Sequence, residues 1–273
     1  KWGIQKDAMN LIEEPRAHTL TAEAKNPVVT SGGSGANTIA GIASFGGSAA
    51  YIGKTANDDL GRQFREEMTS TGVPFATHPL DGGPATARCI IFVNEEGARS
   101  MNTFLGASVL FSKDDVDEDV VRSGKILYLE GYLFDKDDAK AAFIHASETA
   151  KAAGRLVSLT LSDSFCVDRH RDSFLHLVQN HVDILFANEE ELLSLYQTRD
   201  FDEAISRLQA DTAIAAVTRS EKGSVVIGDG DPIAVAAEPV AKVVDTTGAG
   251  DQYAAGFLFG YARGLALAAG IKV

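Results

Sequence analysis

Through the middle and end of the chain, short apolar runs alternate with amphipathic stretches. Residues 125–129 read as a buried strand, and the alanine-rich 138–153 that follows reads as a helix ended near Gly154. Residues 156–159 then read as strand, 168–178 as helix, 183–186 as strand and 189–196 as helix. This alternation predicts a mostly parallel sheet covered on both faces, and hence a three-layer α/β domain. Residues 87–93 and 98–105 differ. They are two strand-like runs joined by Asn94-Glu95-Glu96-Gly97, a polar connection suited to a hairpin. The hairpin reads either as a plain edge hairpin or as a flap over the carboxyl edge of the sheet, where open α/β sheets bind ligands.

No internal repeat, low-complexity tract or proline-rich linker interrupts the 273 residues, enough for one large domain with a small appendage. With 25 basic and 38 acidic side chains the net charge is −13, and no Lys/Arg run offsets it. Nucleic-acid binding is thereby disfavoured, since it depends on clustered cations neutralising phosphates. A small partner is expected, and backbone dipoles can still hold a phosphate on an acidic protein. Cys89 and Cys166 have no His or Cys neighbour at metal-ligand spacing, so neither zinc nor a disulfide framework is indicated. No stretch has the length and apolarity to span a bilayer. The expectation is a soluble cytoplasmic protein without membrane or nucleic-acid partners.

The chemistry concentrates in Val243-Val244-Asp245-Thr246-Thr247-Gly248-Ala249-Gly250-Asp251, where a β-branched run ends in threonine and glycine. Ala254, Ala255, Phe257, Leu258 and Tyr261 then have the spacing of a buried helix. At such a junction glycines let a ligand approach the backbone, and first-turn N–H groups carry the positive end of the helix dipole. A phosphate fits there. Asp251 reads in two ways: as a carboxylate interacting with the dipole, or as a general base beside a phosphate cradle, which transfer to a hydroxyl requires.

Gly32, Gly33 and Gly35 invite other readings. A dinucleotide fingerprint needs a further glycine where Thr38 stands. Gly53-Lys54-Thr55 imitates the end of a P-loop, but Gly47 is out of register with it. Asn188 precedes three glutamates and lies one helical turn from Glu191, which suits a helix cap as well as two groups facing one water-filled site.

Asp245-Thr246-Thr247-Gly248-Ala249-Gly250-Asp251 resembles the C-terminal signature of the ribokinase-like (PfkB) carbohydrate and purine kinases. Ser31-Gly32-Gly33-Ser34-Gly35-Ala36-Asn37 resembles their N-terminal signature, and Gly53, Asp58 and Gly61 resemble the loop that follows it. The resemblance runs from about residue 31 to the end of the chain. It implies a ribokinase-like α/β/α fold with a small β flap, lid segments falling within 1–15 and 85–107 of one kinase domain covering 1–273. It implies ATP and magnesium, and leaves room for a monovalent cation such as K+. It also implies Asp251 as the base and Gly248, Ala249 and Gly250 as the anion cradle. Thr246 and Thr247, with Asn188, Thr218 and Gly223, would lie along the nucleotide. Asn188, Glu191 and Asp245 would organise metal, and Gly32, Gly33 and Asn37 would meet the acceptor.

Residues 99–107, with Leu129-Glu130-Gly131-Tyr132 and Leu161-Ser162-Asp163-Ser164-Phe165, look more like adenosine kinases than ribokinases. By this resemblance adenosine is the expected acceptor and Arg99 reaches the transferred phosphate. The alternatives are a ribokinase- or fructokinase-like sugar kinase and a catalytically silent nucleotide- or sugar-binding module. Phe104, Leu133 and Phe134 read either as a purine-facing group or as core. Family members usually begin with a further strand and continue past the catalytic helix, so both are expected to be missing from this chain. Monomer and homodimer are both compatible with the sequence.

Overall fold

A computed structural model describes residues 9–93, 99–241 and 246–267, apart from the side chains of Met9, Arg99 and Asp135. In chain order the elements are β1 (Met9–Leu11), α1 (Glu14–Glu23), α2 (Ser34–Ser44), α3 (Asp59–Ser70), β2 (Arg88–Val93) and β3 (Arg99–Phe104). There follow α4 (Glu118–Ser123), β4 (Ile126–Glu130), α5 (Asp137–Ala152), β5 (Leu156–Thr160), α6 (Ser164–Asn180) and β6 (Ile184–Asn188). The remainder are α7 (Glu189–Tyr196), α8 (Phe201–Asp211), β7 (Ile214–Thr218), β8 (Ser224–Ile227), β9 (Ile233–Val235) and α9 (Ala249–Ala262).

Strands β4 to β9 form one six-stranded sheet in chain order, parallel from β4 to β7 and antiparallel from β7 to β9. The strands read as nearly continuous apolar runs because both faces are covered. On one face Val157, Leu159, Leu185 and Val217 pack with Phe143 of α5, Phe174 of α6, Leu192 of α7 and Leu208 of α8. On the other, Ile184, Phe186, Ala216 and Val226 meet Ala254, Phe257 and Leu258 of α9. This is the three-layer α/β/α arrangement. No helix among the described residues is long and apolar enough to cross a membrane.

The 87–105 hairpin does not join the large sheet. Strands β2 and β3 pair antiparallel and β1 adds in parallel to β3, making a separate three-stranded sheet. Residues 94–97, expected to connect them, lie outside the described residues, as do Ala98 and the run 243–245.

Helix α6 starts four residues before its expected position. Asp163 caps it by accepting from the Phe165 N–H at 2.7 Å, and the backbone leaves helical geometry at His170 (φ −127°, ψ 26°). The first turn exposes Phe165, so it adds nothing to the apolar period and only 168–178 reads as helical. Of the two readings of Phe104, Leu133 and Phe134, the structure favours core. Phe104 and Phe134 are 7% and 2% exposed, and Leu133 packs against the main core.

Candidate active site

Helices α2 and α9 pack side by side, from Ser34 against Asp251 to Phe45 against Phe259, so the glycine-rich stretches that precede them converge at one end of the pair. Gly33 (φ 103°) precedes α2 and Gly248 (φ 74°) precedes α9, and in neither case does a side chain cap the helix. Glycine is required at both because side chains rarely adopt positive φ. Each helix thus presents first-turn amides and the positive end of its dipole without a side-chain acceptor at its N-cap. The helices approach closely because Gly41 has no side chain. A Cβ there would lie 2.8 Å from the Cβ of Ala255.

Asp251, in the first turn of α9, is held from α2. Ser34 Oγ donates to its Oδ1 at 2.9 Å and Asn37 Nδ2 donates to its Oδ2 at 2.8 Å. The carboxylate is therefore aimed across the junction rather than folded back onto its own helix. Gly250, one residue earlier, has no atom within 4 Å of the place a Cβ would occupy. Open space in front of an uncapped helix end can admit an anion, and the residues fit a triphosphate terminus. Of the two cradle glycines, the one whose backbone demands glycine is Gly248. Gly250 lies within α9 and its φ is not positive.

One cleft is lined by Gly32, Gly33, Asn37, Asn188, Glu191, Thr218 and the run from Thr246 to Asp251. The cleft is extended, and within it the expected residues in direct contact are Asn37 with Asp251 and Asn188 with Glu191. Gly223 is outside that lining. Its φ is 84°, and a Cβ would come within 2.0 Å of the Val235 carbonyl oxygen, so glycine there serves the turn between β7 and β8. Asp245 and the side chain of Arg99 lie outside the described residues.

Asn188 and Glu191 form a reciprocal cap at the start of α7. Asn188 Oδ1 accepts from the Glu191 N–H at 2.8 Å, and Glu191 Oε2 accepts from the Asn188 N–H at 2.9 Å. Asn188 Nδ2 also donates to Glu191 Oε1 at 2.7 Å. Burial pushes the Glu191 carboxyl up to about 7, against the stabilising bond from the Asn188 amide. Among the described residues no three acidic, His or Cys side chains converge as a metal cage. The pair instead suits magnesium carried on phosphates, which needs few protein oxygens and keeps its waters.

Ser34, Glu130 and Ser162 lie in stretches that the sequence singles out, but the sequence assigned none of them a role in the site. Glu130 ends β4, beside the first turn of α2, with its Cβ 3.6 Å from where a side chain on Gly35 would begin. Ser162 Oγ donates to Glu130 Oε1 and accepts from the Gly131 N–H at 2.9 Å. Burial pushes the Glu130 carboxyl up to about 7 despite the Ser162 bond, and the nearby Asp251 raises it further. The available signal was an acid closing the apolar run Ile126 to Leu129.

The model of the pfkB carbohydrate kinases matches residues 6–273. An adenosine kinase from Sinorhizobium meliloti of known crystal structure is 52% identical, with TM-score 0.92, over 98% of this chain and 83% of that one. A probable sugar kinase from Rhizobium etli CFN 42 is 49% identical, with TM-score 0.93, over 99% and 82%. A probable chloroplastic fructokinase-6 from Arabidopsis thaliana is 30% identical over 245 residues. The alignment spans 86% of this chain and 63% of that relative's length.

Proposed function

Because the chain belongs to the pfkB family of carbohydrate kinases, we propose that it transfers the terminal phosphoryl group of ATP to the 5′-hydroxyl of adenosine. Asp251 accepts the proton of the attacking hydroxyl, oriented by Asn37 and Ser34. The amides at the start of α9 stabilise charge on the moving phosphoryl group. Magnesium, near Asn188 and Glu191, neutralises phosphate charge when bound.

The observation that carries adenosine over a free sugar is the apolar wall of the same cleft. Phe165 is 72% exposed and Tyr132 37%, and both line it. Leu11, Ile91 and Val93, also exposed, bring the three-stranded sheet to that cleft. Exposed aromatics beside a polar phosphate end suit a flat base attached to a hydroxylated ring. We assign the three-stranded sheet the part of a lid over this wall. The similarity to the Sinorhizobium adenosine kinase supports the same acceptor.

A sugar acceptor is the second reading, favoured by the likeness to the Rhizobium sugar kinase and the Arabidopsis fructokinase. A panel of adenosine, ribose and fructose with ATP and magnesium separates the two. The adenosine reading expects the highest kcat/KM for adenosine, and a preference for a free sugar overturns it.

A further inference from the structure

Gly32 and Gly33, the glycines expected to meet the acceptor, end a connection that is nearly free of hydrogen bonds. Residues 24–33 join α1 to α2, and all of them line the cleft. Val28 and Val29 are 92% and 57% exposed, so apolar burial does little to hold the connection in place. Among the described residues, one hydrogen bond ties 25–32 to the rest of the protein. The Ser31 N–H donates to Glu67 Oε2 at 2.9 Å, whereas the Thr30 hydroxyl bonds only within the connection, to the Ser31 carbonyl oxygen.

Glu67 belongs to α3, which the fold fixes firmly. Asp58 caps the start of that helix by accepting from the Gly61 N–H at 2.8 Å. Met68, the next residue after Glu67, is buried in one apolar cluster with Ala36 of α2 and Val73. Gln63, one turn before Glu67, donates to Glu67 Oε1 at 2.8 Å and leaves Oε2 for Ser31. The carboxylate is therefore held from behind by its own helix. Glu67 itself is outside the cleft lining.

The pinned residue directly precedes the two glycines. Neither Gly32 nor Gly33 has an atom within 4 Å of the place a Cβ would occupy. They offer no side chain by which the fold could hold them, and glycine has the most backbone freedom to lose. Whatever freedom remains in 25–33 is given up when a ligand is bound there, which weakens binding. Fixing the Ser31 N–H removes part of that loss beforehand.

We propose that Glu67 is a positioning residue for the acceptor, pinning Ser31 so that Gly32 and Gly33 are already in place when the acceptor arrives. The inference rests on the reading that these glycines meet the acceptor, and adds to it a residue that touches no ligand. Glu67→Ala removes the pin while leaving Asp251, Asn37 and the amides of α9 as they are. The cost of ordering the connection then falls on acceptor binding. KM for the acceptor rises, while kcat and ATP affinity stay as in wild type.

Hydrogen–deuterium exchange and steady-state kinetics on the full chain test the two steps separately. Without ligand, the wild-type Ser31 amide should exchange slowly, and Glu67→Ala should bring it to the rate of its unbonded neighbours. Unchanged protection would overturn the pin whatever the kinetics. KM for whichever acceptor is turned over should rise several-fold in Glu67→Ala, and a fall in kcat at unchanged KM would contradict the proposal. Glu67→Gln keeps an oxygen that can accept from Ser31, so it should lie closer to wild type in both readouts. Equal losses in the two variants would count against a role carried by that bond. If Glu67→Ala does not fold, Gln63→Ala, which frees Glu67 to swing away, should speed Ser31 exchange, and an unchanged rate would count equally against the pin. Adding the acceptor to wild type separates the underlying reading: it should slow exchange across 25–33. If it does not, the glycines do not meet the acceptor and that reading fails with the proposal. If it does, and Glu67→Ala keeps the wild-type KM, only the assignment of Glu67 fails.

Discussion

Asn37 and Asp251 are 214 residues apart in the chain, yet the Asn37 amide donates to Asp251 Oδ2 at 2.8 Å. The two glycine-rich signatures thus meet in space, joined by a hydrogen bond to the carboxylate proposed as the base. Asn37→Ala removes a bond to a charged group. Such a bond is worth about 1.5–3 kcal/mol, so the rate should fall roughly 10-fold to 10²-fold. Steady-state kcat, alongside a thermal melt showing the fold intact, checks this. An unchanged rate would mean that Ser34 alone suffices to orient the base.

Gly248 and Gly250 should respond differently to alanine. Gly248 has φ 74°, so Gly248→Ala forces a left-handed residue that costs about 1–2 kcal/mol. Gly250 sits in regular helix with open space ahead, so Gly250→Ala should fold at least as stably as wild type. Its methyl group projects where the phosphate is to lie, and ATP affinity should drop. Thermal unfolding and ATP titration distinguish the two. Retained ATP affinity in Gly250→Ala would place the nucleotide elsewhere.

Phe165 and Phe134 test the apolar wall against the core. Phe165→Ala removes an exposed ring, so stability should hold while KM for adenosine rises. Base–aromatic stacking of about 1–3 kcal/mol corresponds to roughly 10-fold to 10²-fold. Phe134→Ala, at 2% exposure, should instead cost about 3–5 kcal/mol of stability. An unaltered adenosine KM in Phe165→Ala would remove the stacking role.

The sequence carried the layered architecture well because parallel strands buried on both faces are read directly as apolar runs. Helix α7, over Glu189–Tyr196, has its expected bounds because Asn188 and three glutamates mark its start. Helix α6 was legible only in its second half, since its first turn exposes Phe165. Ser34, Glu130 and Ser162 were not legible as a group. They come from the start of α2 and from two strand ends, and nothing in local spacing announces that Ser34 will bond Asp251 or that Ser162 will bond Glu130. Phe104 and Phe134 stayed open between core and purine-facing for a related reason: an aromatic beside a site motif carries no mark of which way it points.

Glu191→Gln tests the metal reading. If Glu191 helps hold magnesium through ordered water, loss of its charge should raise the magnesium concentration needed for half-maximal rate. The bond it accepts from the Asn188 N–H can be kept by the glutamine oxygen, so α7 should remain capped. An unchanged magnesium titration would leave Glu191 as a helix-terminal carboxylate only.

The most direct test of the kinase reading is Asp251→Asn, assayed for single-turnover phosphoryl transfer from ATP to adenosine with ATP affinity measured separately. Asparagine keeps the size of the side chain but cannot accept the hydroxyl proton. ATP should bind as in wild type while transfer slows roughly 10²-fold to 10⁴-fold. Transfer near the wild-type rate would contradict the account and leave Asp251 as a partner of the helix dipole.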